Sequence, residues 1–304
     1  MTTVSVEGRA LALSNLDKVM YPATGFTKGQ VIDYYRAIAP ALLTHLAGRP
    51  LTLKRYPNGV DDKFFYEKRC PSHRPSWMRT CEIWSDRNKG IVNYCVVDDL
   101  ASLVWVANMA SLELHPSLSR CDDMPHPSTV AFDLDPGPPA DAVDCARVAL
   151  RLRDLFEQMG LQSFAKTSGS KGIQVYVPLN SGQADYESAA GTKPFSRAVA
   201  QLFEQQFPDE IVSSQKKDVR GGKVLIDWSQ NDGYKTTVSV YSLRARERPW
   251  VSTPVTWDEV DDIASSGDVE RSRFEAGDVV QRVQRLGDLF EPVATLQQQL
   301  PKLQ

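Results

Sequence analysis

The sequence predicts an α+β fold, a mixed or antiparallel central sheet flanked by helices. Three observations predict it. Apolar residues recur at helical spacing in some segments and as short apolar or alternating runs in others. The two kinds of segment interleave without a regular βαβ rhythm. The last fifty residues read as helix only. In chain order, "TKGQVIDYYRAIAPALLTHLAG" (27–48) is a helix: Thr27 and Gln30 fit a capping box, Val31, Tyr34, Tyr35, Ile38 and Leu42 share a face, and Gly48 stops it. Strands are expected at 50–57, 91–97, 129–135, 161–166, 172–179, 223–228 and 236–242. Helices are expected at 98–114, at 140–160 with Gly160 at its end, and at 195–206, with a helical tail from 256. Segments 57–90 and 207–222 read as exposed loops.

The net charge of −3 does not by itself indicate a polyanion partner, but its distribution is uneven. Residues 1–90 carry 14 Lys/Arg against 8 Asp/Glu, and residues 211–248 carry 8 against 4, whereas 255–304 carry 5 against 10. Two basic regions and an acidic tail suit local anion binding. The five cysteines form no CxxC pair, no apolar run approaches the length of a membrane span, and the N-terminus lacks the pattern of a signal peptide. The expectation is a reducing, cytoplasmic setting with no membrane contact. Cys70, His73 and Cys81 lack a fourth ligand and a common zinc-module spacing, so zinc is discounted.

The chemistry is concentrated in "AFDLDPGP". In a strand, Asp133 and Asp135 point to the face opposite Phe132 and Leu134. Adjacent carboxylates repel unless a cation lies between them, and hard divalent cations favour such oxygen ligands. A solvated strand face or an Asp-Pro-Gly turn explains the pair equally well on its own. "KVLIDWSQN" repeats the design with Asp227 at the end of an apolar run. Three acids on neighbouring strands can hold two metal ions for phosphoryl transfer. Glycoside hydrolysis needs carboxylates across a gap and ranks low. "KTSGSKGIQVYVPL" sets Ser168, Gly169, Ser170, Lys171 and Gly172 before a strand. Such a loop can close backbone N–H groups on an anion, or be a plain hairpin turn. It is not a Walker A loop.

The order of these motifs resembles that of the archaeo-eukaryotic primase superfamily. More specifically, "FDLDPGP", "TSGSKG", "VLIDWSQN", "YSLRARERPWVSTPVTWDEV" and "LGDLF" resemble the polymerase domain of bacterial DNA ligase D. "LDKVMYP", "LTLKRYPNG", "FFYEK" and "VVDDLASLVW" extend the resemblance over nearly the whole chain. It implies a primase-polymerase-type catalytic core in a single domain over 1–304: a DNA-end-binding part to residue 125, a catalytic core over 126–255, and C-terminal helices packing back. As 304 residues leave no room for a ligase or nuclease domain, the expectation is a free-standing or excised polymerase domain.

By this resemblance Asp133, Asp135 and Asp227 are the catalytic metal ligands, for two Mn²⁺ or Mg²⁺ ions. His115, Ser168, Gly169, Lys171, Gln174, Gln230, Arg244 and Arg246 fall at nucleotide-contacting positions. At Gln174 many relatives carry histidine, and an amide keeps a hydrogen bond but carries no charge. Asn15, Lys18 and Lys28 match a pocket for the 5′-phosphate across a gap. Phe64 and Phe65, flanked by Lys63 and Lys68, form an aromatic pair amid positive charge that can stack on a base or wedge a strand; a buried core pair is the ordinary alternative, and the turn signal in "PNGVDD" argues for a loop position. Lys54 and Arg55 neighbour the template, and Arg220 in "SSQKKDVRGGK" touches the primer end or assists synapsis. The implied activity is template-dependent addition of nucleotides, preferentially ribonucleotides, at gaps and broken ends carrying a 5′-phosphate. A Ku-like protein and a DNA ligase are the implied partners, at the bacterial nucleoid. The alternatives are a two-metal phosphoesterase or nuclease, and a non-catalytic end-bridging module.

Overall fold

The computed structural model describes residues 2–86 and 89–301, in which the chain divides into two compact units. The first comprises Met1–Asp122, Thr236–Val251 and Glu275–Asp288; the second comprises Asp123–Lys235, Ser252–Phe274 and Leu289–Gln304. The chain thus passes between the units several times.

The first unit opens with a hairpin, β1 (Thr2–Val6) and β2 (Arg9–Leu13), followed by the short pair β3 (Val19–Tyr21) and β4 (Phe26–Thr27). Helix α1 (Lys28–Leu46) follows, capped as expected: Thr27 Oγ1 accepts from the N–H of Gln30, and Gln30 Oε1 accepts from the N–H of Thr27. A five-stranded sheet contains β5 (Leu51–Arg55), β6 (Phe65–Glu67), β7 (Thr80–Ser85), β8 (Gly90–Cys95) and β9 (Ser111–Pro116), with α2 (Leu100–Asn108) between β8 and β9. β10 (Ser119–Arg120) ends this stretch.

Tyr34 and Tyr35, adjacent on α1, tie the returning segment to this unit. Tyr34 Oη donates to Tyr241 O (2.8 Å), and Tyr35 Oη donates to Leu112 O (2.6 Å) while accepting from the N–H of Leu243 (3.1 Å). Tyr21 Oη donates to Arg244 O at 3.0 Å. Asp288, from "LGDLF", accepts from Tyr241 Oη (2.6 Å) and lies 2.9 Å from His45 Nε2. These buried hydroxyls pin the backbone that carries Arg244.

In the second unit, β11 (Asp123–Pro127) leads into β12 (Thr129–Pro136), α3 (Ala142–Gln158), β13 (Phe164–Thr167), β14 (Ile173–Pro178), α4 (Thr192–Gln206), β15 (Ile211–Val212), β16 (Val224–Asp227), β17 (Pro254–Val255) and α5 (Trp257–Ser266). Its six-stranded sheet has the order β15-β16-β12-β14-β13-β17, antiparallel except for the β15–β16 pair. This is the mixed sheet of an α+β fold. Phe132, Leu134, Val175 and Ile226 are buried in one core with Phe156 of α3 and Phe195 of α4. That core takes up the apolar side of β12 and leaves the alternate residues, Asp133 and Asp135, on its other side.

Several segments differ from the sequence reading. Segment 57–90, read as an exposed loop, contains β6 and β7, and segment 207–222 contains β15. The helix expected over 98–114 ends at Asn108; Ala110 takes a positive φ of 59°, and residues 111–116 become β9. A continuous apolar run does not distinguish a buried helix from a strand buried on both faces, and β9 is of the second kind. Residues 236–242, expected as a strand, form none; their N–H groups at Thr237 and Ser239 bond instead to Pro116 O and Leu114 O. Cys70 and Cys95 are joined in a disulfide, a pairing that the sequence did not indicate, while Cys81, Cys121 and Cys145 are free thiols. Among the described residues no group of three or more His, Cys, Asp or Glu is placed to hold a metal ion. No described helix is long and apolar enough to cross a membrane.

Two motif glycines are required by close backbone approach. A Cβ on Gly172 would lie 2.0 Å from Leu134 O, and one on Gly137 would lie 1.9 Å from Arg220 O. Gly172→Ala therefore forces the SGSKG loop away from β12 between the two acids. The expected result is a destabilisation of about 1–3 kcal/mol in chemical denaturation; an unchanged midpoint would show that the loop yields freely.

Candidate functional site

The register of the second unit's sheet decides what its acids can do. Asp133 of β12 is directly opposite Asp227 of β16 on one side and Gln174 of β14 on the other, and Gln174 is opposite Lys166 of β13. Residues opposite one another share a face, so Asp227, Asp133, Gln174 and Lys166 form one row across four strands. Asp135 lies on the same face, two residues further along β12, roughly 6.5–7 Å on. Asp227 is buried, Asp133 half-buried and Asp135 exposed, so the acids run from the sheet interior to its open end.

Each acid has a distinct environment. Burial, with the like charges of Asp135 and then Asp227, pushes the Asp133 carboxyl up to about 7, partly opposed by a hydrogen bond from Gln174. Gln174 is itself buried, and its Oε1 accepts from Lys166 Nζ (2.5 Å) and Tyr176 Oη (3.2 Å). Lys166 Nζ also donates to Ser252 Oγ at 2.7 Å. The positive charge absent from position 174 is thus present one strand further along the row, with the amide between it and Asp133.

Asp227 is wrapped by donors. Its Oδ1 accepts from Gln215 Nε2 (2.8 Å), Ser229 N–H (2.9 Å) and Ser229 Oγ (2.6 Å), and its Oδ2 from Gln230 Nε2 (3.0 Å). Lys235 Nζ donates to Ser229 Oγ, and the Arg220 guanidinium donates to Gln215 O and, at 3.3 Å, to Gln215 Oε1. Gln230 and Arg220 are therefore held to Asp227, Arg220 through Gln215.

The SGSKG loop is shaped by Ser168. Its buried Oγ accepts from the N–H groups of Ser170 (3.2 Å) and Gly172 (3.0 Å), and its own N–H donates to Gly172 O (2.8 Å). Gly169 has a positive φ of 64°, and Lys171 is exposed. The amides of Ser170 and Gly172 thus turn inward onto Ser168.

As hard oxygen donors on one face of the sheet, the three carboxylates suit divalent metal ions in the chemistry of the set. Burial first, and then the like charge of Asp135, raise the Asp133 carboxyl, with Lys166 opposing. The donors on Asp227 would have to give way for all three acids to ligate together, which accords with no preformed three-acid cluster being present among the described residues.

The first unit gathers the remaining residues into two groups. In one, Lys54 of β5 stands opposite Glu113 of β9, with His115 two residues on. Glu113 contacts Lys54, His115 and Arg244. Lys54 Nζ lies over Phe64 (4.4 Å), Tyr56 (5.3 Å) and Tyr66 (5.5 Å). Arg246 acts electrostatically on Lys54, and its N–H donates to Arg244 O. Arg55 donates to Met109 O and Glu67 and lies 5.1 Å over Phe65. Phe64 and Phe65 are 50% and 43% exposed, so neither belongs to the core. Phe64 lies in the expected loop, and Phe65 begins the edge strand β6.

In the other group, backbone bonds link Asn15, Lys18 and Lys28: Lys18 N–H donates to Asn15 O and Lys28 N–H to Lys18 O. Asn15 has a positive φ of 53°. Lys28 begins α1, and its side chain is buried with Nζ donating to Ser14 O (2.7 Å). Burial, then the charges of Lys18 and Arg55, draw its pKa down to about 8. A helix N-terminus and two lysines converge there.

Sequence reasoning did not find Glu113, Lys166, Gln215 or Ser229. Glu113 and Lys166 do carry a signal, a lone charge inside an otherwise apolar strand, in "LELH" and "FAKT". Gln215 and Ser229 carry none, because only the folded loops bring them to Asp227.

Residues 27–290 match the family model described as LigD, primase-polymerase domain. The multifunctional non-homologous end joining protein LigD of Mycolicibacterium smegmatis is 41% identical over 92% of this chain and 36% of the relative. The bifunctional non-homologous end joining protein LigD of Bacillus subtilis is 28% identical over 96% of this chain and 47% of the relative. The chain therefore spans less than half the length of these curated relatives. A solved structure, the polymerase domain from Mycobacterium tuberculosis Ligase D in complex with DNA, superposes with a TM-score of 0.84 at 38% identity, covering 95% of this chain and 99% of that one. With the family model covering most of its length and a relative 41% identical over 92% of it, the chain belongs to the LigD primase-polymerase domain family, nucleotidyltransferases of the archaeo-eukaryotic primase superfamily.

Proposed function

We propose that this protein is a template-dependent polymerase that adds nucleotides, preferentially ribonucleotides, at gapped or broken DNA ends carrying a 5′-phosphate. The observation that carries the reading is the in-register pairing of Asp133 with Asp227, with Asp135 on the same face. Asp133, Asp135 and Asp227 would hold two divalent ions, Mn²⁺ or Mg²⁺. When bound, such ions acidify an attacking 3′-hydroxyl and neutralise a triphosphate. Gln174, backed by Lys166, orients Asp133; Gln215, Ser229 and Gln230 orient Asp227. Ser168, Gly169 and Lys171 form one phosphate-binding element, and His115, Arg244 and Arg246 form another. Phe64 and Phe65, beside Lys54 and Arg55, offer exposed rings for stacking on a template base, and Arg220 acts at the primer end.

The names of the LigD relatives place them in non-homologous end joining. By that kinship the gap is one left at a joined break, with a Ku-like protein and a DNA ligase as partners. Asn15, Lys18 and Lys28 at the start of α1 take the 5′-phosphate. The net charge of the cluster and the helix N-terminus both favour a dianion.

The deciding experiment is extension of a primer on a 5′-phosphorylated gapped duplex with Mn²⁺, comparing ribo- with deoxynucleotides. Asp133→Ala should slow extension more than a hundredfold, about 3 kcal/mol of transition-state stabilisation. A primer shortened without nucleotides would mark a nuclease instead.

The same acid governs stability. With its carboxyl raised to about 7, Asp133 holds a proton in the folded protein at pH values where the unfolded chain has released it. Metal-free stability therefore falls as pH rises towards 7. Asp133→Asn should raise metal-free stability at pH 8 by on the order of 1–4 kcal/mol while abolishing extension. A melting temperature at or below that of the wild type would count against the repulsion described above.

Lys28 gives a pH dependence to the phosphate pocket. Its charge is present below about 8 and is lost above it. The affinity advantage of a 5′-phosphorylated over a 5′-hydroxyl gap should decline as pH rises beyond 8, and Lys28→Met should flatten that decline. Fluorescence anisotropy between pH 7 and 9.5 measures both.

A further inference from the structure

Glu113 is a buried acid that faces Lys54, His115 and Arg244 in the first unit. It is 1% exposed on β9, directly opposite Lys54 and on the same face as His115. Its Oε1 accepts from Lys54 Nζ (3.3 Å) and from the N–H of Ala245 (3.1 Å). Its Oε2 lies 3.0 Å from His115 Nε2 and 3.5 Å from Arg244 Nε. One carboxylate thus touches three basic side chains from three separate stretches of sequence.

A purely structural ion pair is the ordinary role of such a group. Buried ion pairs, however, contribute little net stability, because desolvation offsets the attraction. The charges also do not balance: one carboxylate faces Lys54 and Arg244, with Arg246 near, so the array stays cationic and still attracts a polyanion. What Glu113 adds is order. Lysine and arginine side chains lose much rotational freedom when they engage a ligand, and fixing them beforehand removes that cost from binding.

The histidine is fixed as well. Burial would raise the Glu113 carboxyl, but the His115 hydrogen bond and the charges of Arg244, His115 and Lys54 hold it far below the usual range. It is therefore ionised and has no proton to give, so His115 must donate from Nε2, and in the neutral ring the lone pair is on Nδ1. The groups facing His115 are Glu113 on its own strand, Lys54 from β5, Arg244 from the returning segment, and the Tyr66 ring from β6 at 6.0 Å. Burial and the two cations lower its pKa, and Glu113 raises it.

We infer that Glu113 is a positioning residue, holding Lys54, His115 and Arg244 as one preorganised phosphate-binding array and keeping His115 in the Nε2–H form. This rests on the reading of that array as part of the nucleotide site.

The test combines a measurement on the wild-type protein with two variants. Nitrogen-15 spectra of the wild type should show neutral His115 protonated at Nε2; protonation at Nδ1 overturns the inference. Glu113→Gln, which keeps the shape and removes the charge, should move the His115 titration to lower pH. It should also raise the nucleotide KM about tenfold or more while kcat changes by less than about threefold. Glu113→Asp, which keeps the charge, should recover most of the His115 shift. If Glu113→Gln does not fold, the tautomer and the Glu113→Asp titration decide. A folded Glu113→Gln protein with wild-type KM and an unmoved His115 titration overturns the inference even though the wild type extends primers. A wild type that neither binds nucleotide nor extends a primer overturns the polymerase reading instead, and the tautomer still decides whether Glu113 fixes His115.

Discussion

Like charge held together against its own repulsion is the constraint around which the second unit is organised. Asp133 and Asp227 are opposite residues of two hydrogen-bonded strands, so neither can move away without breaking the ladder. Asp135 lies on the same face, a strand repeat further on. The ladder withstands this because the other face of the same strands carries Phe132, Leu134 and Ile226 into a core closed by α3 and α4. Apolar burial on one side thus supports electrostatic strain on the other. Burial, with the like charges of Asp135 and Asp227, raises the Asp133 carboxyl, and Asp227 collects four hydrogen bonds.

The first unit solves the opposite problem. Its cations would repel one another, and its long side chains would be mobile. Glu113 offsets part of the repulsion, and the aromatic rings of Tyr56, Phe64 and Tyr66 surround Lys54 with negative ring faces. Arg244 arrives on a segment distant in sequence, and the hydroxyls of Tyr21, Tyr34 and Tyr35 hold its backbone. The tyrosines read in the sequence as a helix face are thus also a clamp. Both units position charge by backbone geometry, one through strand register and the other through hydroxyl bonds to a loop.

The misread segments are those whose composition does not select the element. The run from Asp98 to Leu114 is rich in apolar residues, and no period distinguishes its helical first half from the strand β9. Residues 236–242 have strand composition, but their N–H groups bond to the end of β9 outside a regular ladder. The Cys70–Cys95 disulfide joins positions 25 apart, and nothing in their spacing selects that pairing from five cysteines.

The sequence by itself determined the elements and the motif acids. Periodicity, caps and glycine stops act over a few residues, so α1, α3 and the strands around Asp133 and Asp227 were legible with nearly correct boundaries. The motif order also carried the family. Only the tertiary structure decided which charges meet: that Lys166, bonded to Gln174, acts on Asp133, that Gln215 links Arg220 to Asp227, and that Glu113 gathers three bases. Those contacts depend on strand order and register, which arise from pairing between segments far apart in the chain. No local pattern of residues encodes a distance across a sheet.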